Sequence, residues 1–199
     1  MDDDPATEIL EATYRSLCRR GYADLTVEDI AAEADRSKAL VHYYYDSKEN
    51  LFTEFLEYLY ERYTAHLASV AGETPRERLF SLFEAVLADE AATPGEEFRT
   101  AMLEVKAQAP YDEAIQANLA RFDEYLFERL REIIAAGVES GDFRERVDPA
   151  TAAEFLATTI TGAQTRRVAV GYPTDRLYET MTRYADTHLL VAAAAEGSN

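Results

Sequence analysis

The chain has no tryptophan, one cysteine, three histidines and three lysines, and it has no long apolar run. Each shortage excludes something. A single cysteine, Cys18, rules out an internal disulfide and any cysteine-based metal cluster. It lies among apolar positions of a helical stretch and reads as a small buried hydrophobe. The longest apolar stretch, Leu189 to Ala195, is far short of the roughly 20 residues a spanning helix needs, so no membrane partner is expected. The opening Met1-Asp2-Asp3-Asp4-Pro5 is acidic where a secretion signal is basic and then apolar, which points to a cytoplasmic protein. His42, His66 and His188 are far apart, and none sits in an HExxH motif. Neither a nucleophile elbow nor a glycine-rich phosphate loop is present. No enzyme, metal site or cofactor is therefore expected.

What is there is helical. The chain has 199 residues, 47% of them apolar, enough for one large domain or two small ones with a sizeable core. Six prolines and a few glycines punctuate stretches of helical periodicity, and strict alternation is absent. Helix one begins near Pro5 and stops at Arg19-Arg20-Gly21. Helix two opens at Thr26, where Thr26-Val27-Glu28-Asp29 has the form of a capping box, and ends around Asp35. Ser37 caps helix three, to about Tyr45, and Ser47 caps helix four, to about Val70. Thr74-Pro75-Arg76-Glu77 starts helix five, which runs to about Glu90. Thr93-Pro94-Gly95 separates it from helix six, which reaches Ala109. Asp112 caps a long helix seven ending at Gly141, Asp148-Pro149 starts helix eight, and Thr174 caps helix nine. Glu196 to Asn199 read as frayed. The expected fold is all-α with about nine helices.

Charge complicates the functional reading. The net charge is −18, and the first fifty residues alone carry 12 acidic and 6 basic side chains. Nucleic-acid binders usually show a basic patch. The other possibility is an acidic surface adapted to concentrated salt, where the Debye length falls to about 3 Å at 1 M and distant acidic groups hardly repel DNA. Composition does not choose between them.

Two short helices joined by a tight turn, Thr26 to Tyr45, stand out against the longer helices. That is the form of a helix-turn-helix, whose second helix enters the major groove. The stretch Ser37-Lys38-Ala39-Leu40-Val41-His42-Tyr43-Tyr44-Tyr45-Asp46-Ser47-Lys48-Glu49-Asn50-Leu51 resembles the signature of the TetR family of transcriptional regulators. There a Ser-Lys pair is followed by a small residue, two or three aromatics, then Ser-Lys-Glu and a leucine. Upstream, Thr26-Val27-Glu28-Asp29-Ile30-Ala31 also fits the family pattern. Two of the three lysines, Lys38 and Lys48, fall where the family binds DNA.

The resemblance implies a helix-turn-helix domain at residues 1–47 and a helical effector-binding and dimerisation domain at 48–199, bridged by helix four. It implies a homodimer that binds double-stranded DNA at a palindromic operator and represses until a small-molecule effector relieves it. Thr26 and the amides behind it would meet a phosphate. Lys38, Ala39 and Leu40 would face the groove, with His42 and Tyr43 touching phosphates or bases. Lys48 would clamp a backbone phosphate, while Ser37 is a cap first and a phosphate donor second. Val41 and Tyr45 are read as core, and Tyr44 as packing inward. Two positions depart from the family: Asp35 where glycine is usual in the turn, and Arg36 where a small apolar residue is usual. Aspartate tolerates left-handed backbone, and the Arg36 head can reach solvent or a phosphate.

By the same resemblance, the candidate effector pocket is Phe98, Met102, Phe122, Tyr125, Phe155 and Thr159. The candidate dimer interface is Ala152, Leu156, Gly162, Ala163, Met181 and Ala185, whose small members let helices approach closely. The competing reading is a helical ligand-sensing dimer that has lost specific DNA binding, for which the acidic charge is the best argument.

Overall fold

The computed structural model describes residues 4–87 and 95–191. Among the described residues it is helical: α1 (Pro5–Arg20), α2 (Val27–Glu33), α3 (Lys38–Tyr44), α4 (Lys48–Ala68), α5 (Pro75–Leu87), α6 (Glu96–Gln108), α7 (Glu113–Ser140), α8 (Pro149–Val170) and α9 (Thr174–His188). A single 3-10 turn, Ala109–Tyr111, joins α6 to α7. This is the all-α architecture expected, with most boundaries where the proline, glycine and cap signals stand; Thr174, expected to cap α9, is instead its first helical residue, after Pro173 in the cap position. The expected end of helix five near Glu90, the Thr93-Pro94 break and the terminal Glu196–Asn199 lie outside the described residues.

Caps explain the starts. The backbone amides at a helix N-terminus lack partners within the helix, and a side-chain oxygen just ahead supplies one. Asp4 accepts from the Ala6 amide at 3.4 Å. Thr74 accepts from the Glu77 amide at 3.2 Å, Asp112 from the Ile115 amide at 3.1 Å, and Asp148 from the Thr151 amide at 2.7 Å. Proline is the first helical residue of α1, α5 and α8, where its missing N–H costs nothing.

The chain forms two compact units, Met1–Ala65 with Pro94–Phe122, and His66–Thr93 with Asp123–Asn199. The first is built on one apolar core in which Ile9, Ala12 and Leu17 of α1 meet Ile30 and Ala31 of α2, Val41 of α3, Phe52, Phe55 and Leu56 of α4, and Phe98, Ala101 and Val105 of α6. The division drawn from sequence at residue 47 therefore does not coincide with these units. Most of α4, all of α6 and the start of α7 belong with the N-terminal helices, because Phe98, Val105 and Ile115 share a core with Ile9.

In the second unit the connection between α7 and α8 grips the end of α9. Phe143 and Leu190 form an isolated antiparallel bridge. The Arg144 guanidinium donates to the Leu190 and Thr187 carbonyls, each at 2.8 Å. Arg144 thereby satisfies carbonyls that the end of a helix leaves unpaired.

Candidate DNA interface

The helix-turn-helix is assembled by local hydrogen bonds that the sequence prescribes. At the start of α2 the capping box closes in both directions: the Asp29 amide donates to the Thr26 hydroxyl, and the Thr26 amide donates to the Asp29 carboxylate, both at 3.2 Å. The Thr26 hydroxyl also donates to that carboxylate at 2.6 Å, which holds the Asp29 carboxyl below its ordinary value. Asp35 in the turn has φ 53°, the left-handed conformation that aspartate tolerates. The Arg36 amide then donates to the Ala31 carbonyl at 3.0 Å, closing the turn. Ser37 caps α3 through the Leu40 amide at 3.1 Å, and Ser47 receives the Asn50 amide at 3.1 Å as α4 begins.

Side-chain direction on α3 follows from its period. Val41 and Tyr45, four residues apart, point inward and are buried. The Tyr45 hydroxyl donates to the Ala6 carbonyl at 3.2 Å, and burial pushes its pKa up to about 12. With that side locked, Lys38, Ala39, His42 and Tyr43 share the outer face and are exposed, as is Ser37; Leu40 is half-buried. Tyr43 is 79% exposed, an unusual position for an aromatic ring, and among the described residues its ring meets only its neighbour Tyr44, edge-on at 5.2 Å. Tyr44 was expected to pack inward and is instead 38% exposed, because the inward direction is already filled by Val41 and Tyr45.

The charges of this unit are arranged in pairs. Arg15 donates to Glu33 at 2.7 Å, and Arg19 reaches the other oxygen of the same carboxylate. Arg20 pairs with Asp29 at 2.9 Å. Arg36 turns back onto Glu8 of α1, its Nε at 3.0 Å, and Lys38 pairs with Glu28. The Lys38 ammonium holds the Glu28 carboxyl below its ordinary value. Lys48 lies over the Tyr22 ring, 5.3 Å from its centroid. Thr26, Arg36 and Lys38, all candidate DNA contacts, are thus engaged within the protein, whereas Ser37, Ala39, His42 and Tyr43 face outward.

The candidate pocket residues divide between the two units. Phe98 stacks on Tyr14 at 4.7 Å and is buried in the core beside α1. Met102 is half-buried against the same core. Phe122 meets Tyr60 and Tyr63, each at 5.3 Å between ring centroids. The Arg121 guanidinium lies 4.2 Å from the Tyr60 centroid and donates to Glu57 at 3.0 Å. Sequence reasoning passed over Tyr60, since one tyrosine among many on α4 carries no signal of its neighbours. In the second unit Tyr125 is half-buried, and the Thr159 hydroxyl donates to the Phe155 carbonyl at 2.7 Å. Phe155 is 48% exposed and stacks on Tyr184 at 4.9 Å, so it is a surface residue. A groove of about 670 Å³ in this unit is lined instead by Thr74, Arg76, Phe80, Asp142, Leu190 and Val191.

The candidate interface residues differ in exposure. Leu156, Ala163, Met181 and Ala185 are buried within the chain's own fold and offer little surface to a second subunit. Gly162 is exposed with open space around it, and Ala152 is half-buried.

A capped helix-turn-helix with an outward-facing, polar and aromatic reading helix defines a DNA-binding regulator. Comparison with known proteins agrees. The family described as bacterial regulatory proteins, tetR family, matches residues 9–55, and the BetI-type transcriptional repressor C-terminal family matches residues 75–190. The chain belongs to the TetR family of transcription regulators. Among solved structures it is similar to a TetR transcription regulator from Haloarcula marismortui, with 38% identity, a TM-score of 0.87, and 94% of this chain and 98% of that one covered. It is also similar to a protein of Saccharomonospora viridis solved in complex with choline, with 25% identity, a TM-score of 0.77, and coverage of 94% and 97%. The transcriptional regulator BetI of Brucella anthropi is 36% identical over 77 residues, a stretch that covers 38% of this chain and 40% of that protein's length. No described helix is long and apolar enough to cross a membrane.

Proposed function

We propose that the chain acts as a homodimeric repressor that binds a palindromic operator through two copies of α3 and is released by a small molecule. One observation carries this reading: Ser37, Lys38, Ala39, His42 and Tyr43 are exposed together on a capped helix whose other side is locked by Val41 and Tyr45. A seven-residue helix reads too few base pairs for a genomic search, which favours a dimer on two half-sites about 34–36 Å apart. The exposed Phe155–Tyr184 stack supplies apolar surface on α8 and α9 for the second subunit.

For the effector, the aromatic group of Tyr60, Tyr63 and Phe122 suits an organic cation. Choline, held by the Saccharomonospora viridis protein, is the first candidate. An effector releases DNA only if it binds the two conformations with different affinity.

A labelled fragment from upstream of the protein's own gene tests the reading. The expected result is a retarded complex of two chains per site, resistant to random DNA and weakened by choline. Replacing Phe155 with Glu should give monomers and lose the complex. The competing reading, a ligand-sensing dimer without specific DNA binding, is favoured by the pairing of Arg15, Arg19, Arg20, Arg36 and Lys38 with internal carboxylates. Equal competition by random and promoter DNA would establish it.

A further inference from the structure

The Lys38–Glu28 pair joins the first turns of the two helices of the reading head. On the DNA-binding reading proposed above, this is the side of the head that meets a DNA backbone. Glu28 plays no part in the capping box, which is closed by Thr26 and Asp29. Its side chain is 63% exposed and its described partner is Lys38. A carboxylate here favours the first turn of α2 and links it to α3, and it also occupies one of the two lysines of the recognition segment.

We infer that Glu28 is a built-in competitor for the DNA backbone: it holds Lys38 in the free protein, gives it up when DNA binds, and so sets how steeply affinity depends on salt. The inference rests on the DNA-binding reading above. An unpaired lysine that neutralises a phosphate contributes about 0.9 to the slope of log affinity against log salt, through release of condensed counterions. A lysine already neutralised by a carboxylate contributes less, because the phosphate replaces one anion with another. The displaced Glu28 carboxylate then lies near the phosphates and repels them. Both effects operate over a Debye length of about 10 Å at 0.1 M salt and fade as it falls to about 3 Å at 1 M. A head built this way binds weakly to any DNA at low salt and loses little as salt rises.

The pair on Arg36 has the same form. Its Nε is 3.0 Å from Glu8, and both groups are partly exposed. Glu8 lies on α1, outside the two reading helices, so Glu28 is the cleaner test.

The experiment measures binding of the full chain to one operator-containing fragment by fluorescence anisotropy, from about 50 mM to about 1 M KCl. Wild type is compared with Glu28→Gln and with Glu139→Gln, which makes the same charge change on an exposed residue of the other compact unit. Glu28→Gln is expected to bind several-fold tighter at the lowest salt, with a slope steeper by roughly 0.5–1, and to converge on wild type at the highest. Glu139→Gln should track wild type. Equal affinities and slopes for wild type and Glu28→Gln overturn the inference while leaving DNA binding intact. An equal gain from Glu139→Gln also overturns it, since the cause would then be overall charge. Absence of specific binding by all three proteins at every salt overturns the DNA-binding reading and this inference with it.

Discussion

The Tyr45 hydroxyl donates a hydrogen bond to the Ala6 carbonyl at 3.2 Å, tying the end of the reading helix to the first turn of α1. The carbonyl gains a partner, and the phenol, buried at the foot of α3, keeps its proton. Tyr45→Phe keeps the ring and loses the bond, and should cost about 1 kcal/mol in urea unfolding. The sign of the pH effect follows from the raised pKa. The folded state holds the phenolic proton more tightly than the unfolded chain does, so this contribution is complete below pH 10 and lost as pH rises through about 12. Wild type should therefore lose stability over that window faster than Tyr45→Phe. Parallel curves would mean that Tyr45 is solvated.

Asp35 carries the turn with φ 53°. A non-glycine residue there costs about 1 kcal/mol, and a β-branched one costs more. Asp35→Gly should raise the melting temperature or leave it unchanged, whereas Asp35→Val should lower it and weaken DNA binding by misplacing α3. A Val variant as stable as wild type would show that the turn relaxes out of the left-handed region.

Gly137, inside α7, faces the Phe143 ring so closely that a β-carbon would stand 2.7 Å from it. Phe143 is itself buried and hydrogen-bonded through its amide to the Gly137 carbonyl at 2.9 Å, so the ring has little room to retreat. Alanine in place of a helical glycine ordinarily gains up to about 1 kcal/mol. Overpacking costs about 1–3 kcal/mol and should win. Gly137→Ala is expected to destabilise, and to do so much less when combined with Phe143→Leu. An undiminished cost in the double variant would place the clash elsewhere.

Local signals made the reading head legible in the sequence. Thr26, Ser37 and Ser47 could be named as caps, because each acts on an amide three residues away. Asp35 could be placed in the turn, because its side chain is one that tolerates left-handed backbone. Val41 and Tyr45 could be placed inward by the resemblance to the family pattern. What the sequence hid depends on approach between distant segments. Glu28 meets Lys38, and Glu8 meets Arg36, only because helices pack in a particular register, so the neutralised state of the candidate DNA contacts was invisible. Tyr44 faced outward because two neighbours had already filled the inward direction. The small residues Ala163 and Ala185 are buried within one chain, and nothing in their identity says whether a neighbouring helix comes from the same chain. Likewise Phe98 and Phe155 are both aromatics at helical spacing, and only the fold separates a core ring from a surface one.

The central claim is that α2 and α3 hold a working DNA-reading surface despite the acidic charge around it. Its most direct test is binding to the DNA upstream of the protein's own gene at low and at molar KCl, with Lys48→Ala as comparison. Lys48 lies over Tyr22 at the start of α4 and is the proposed phosphate contact that is held by a ring and not by a carboxylate. The account predicts specific binding that loses far less than the roughly 10³–10⁵-fold usual between 50 and 200 mM salt for six to ten phosphate contacts. It also predicts that Lys48→Ala weakens that binding by about tenfold at low salt and by less at high salt, where a phosphate contact is screened. Specific binding that is indifferent to Lys48→Ala, or no specific binding at either salt, would contradict it.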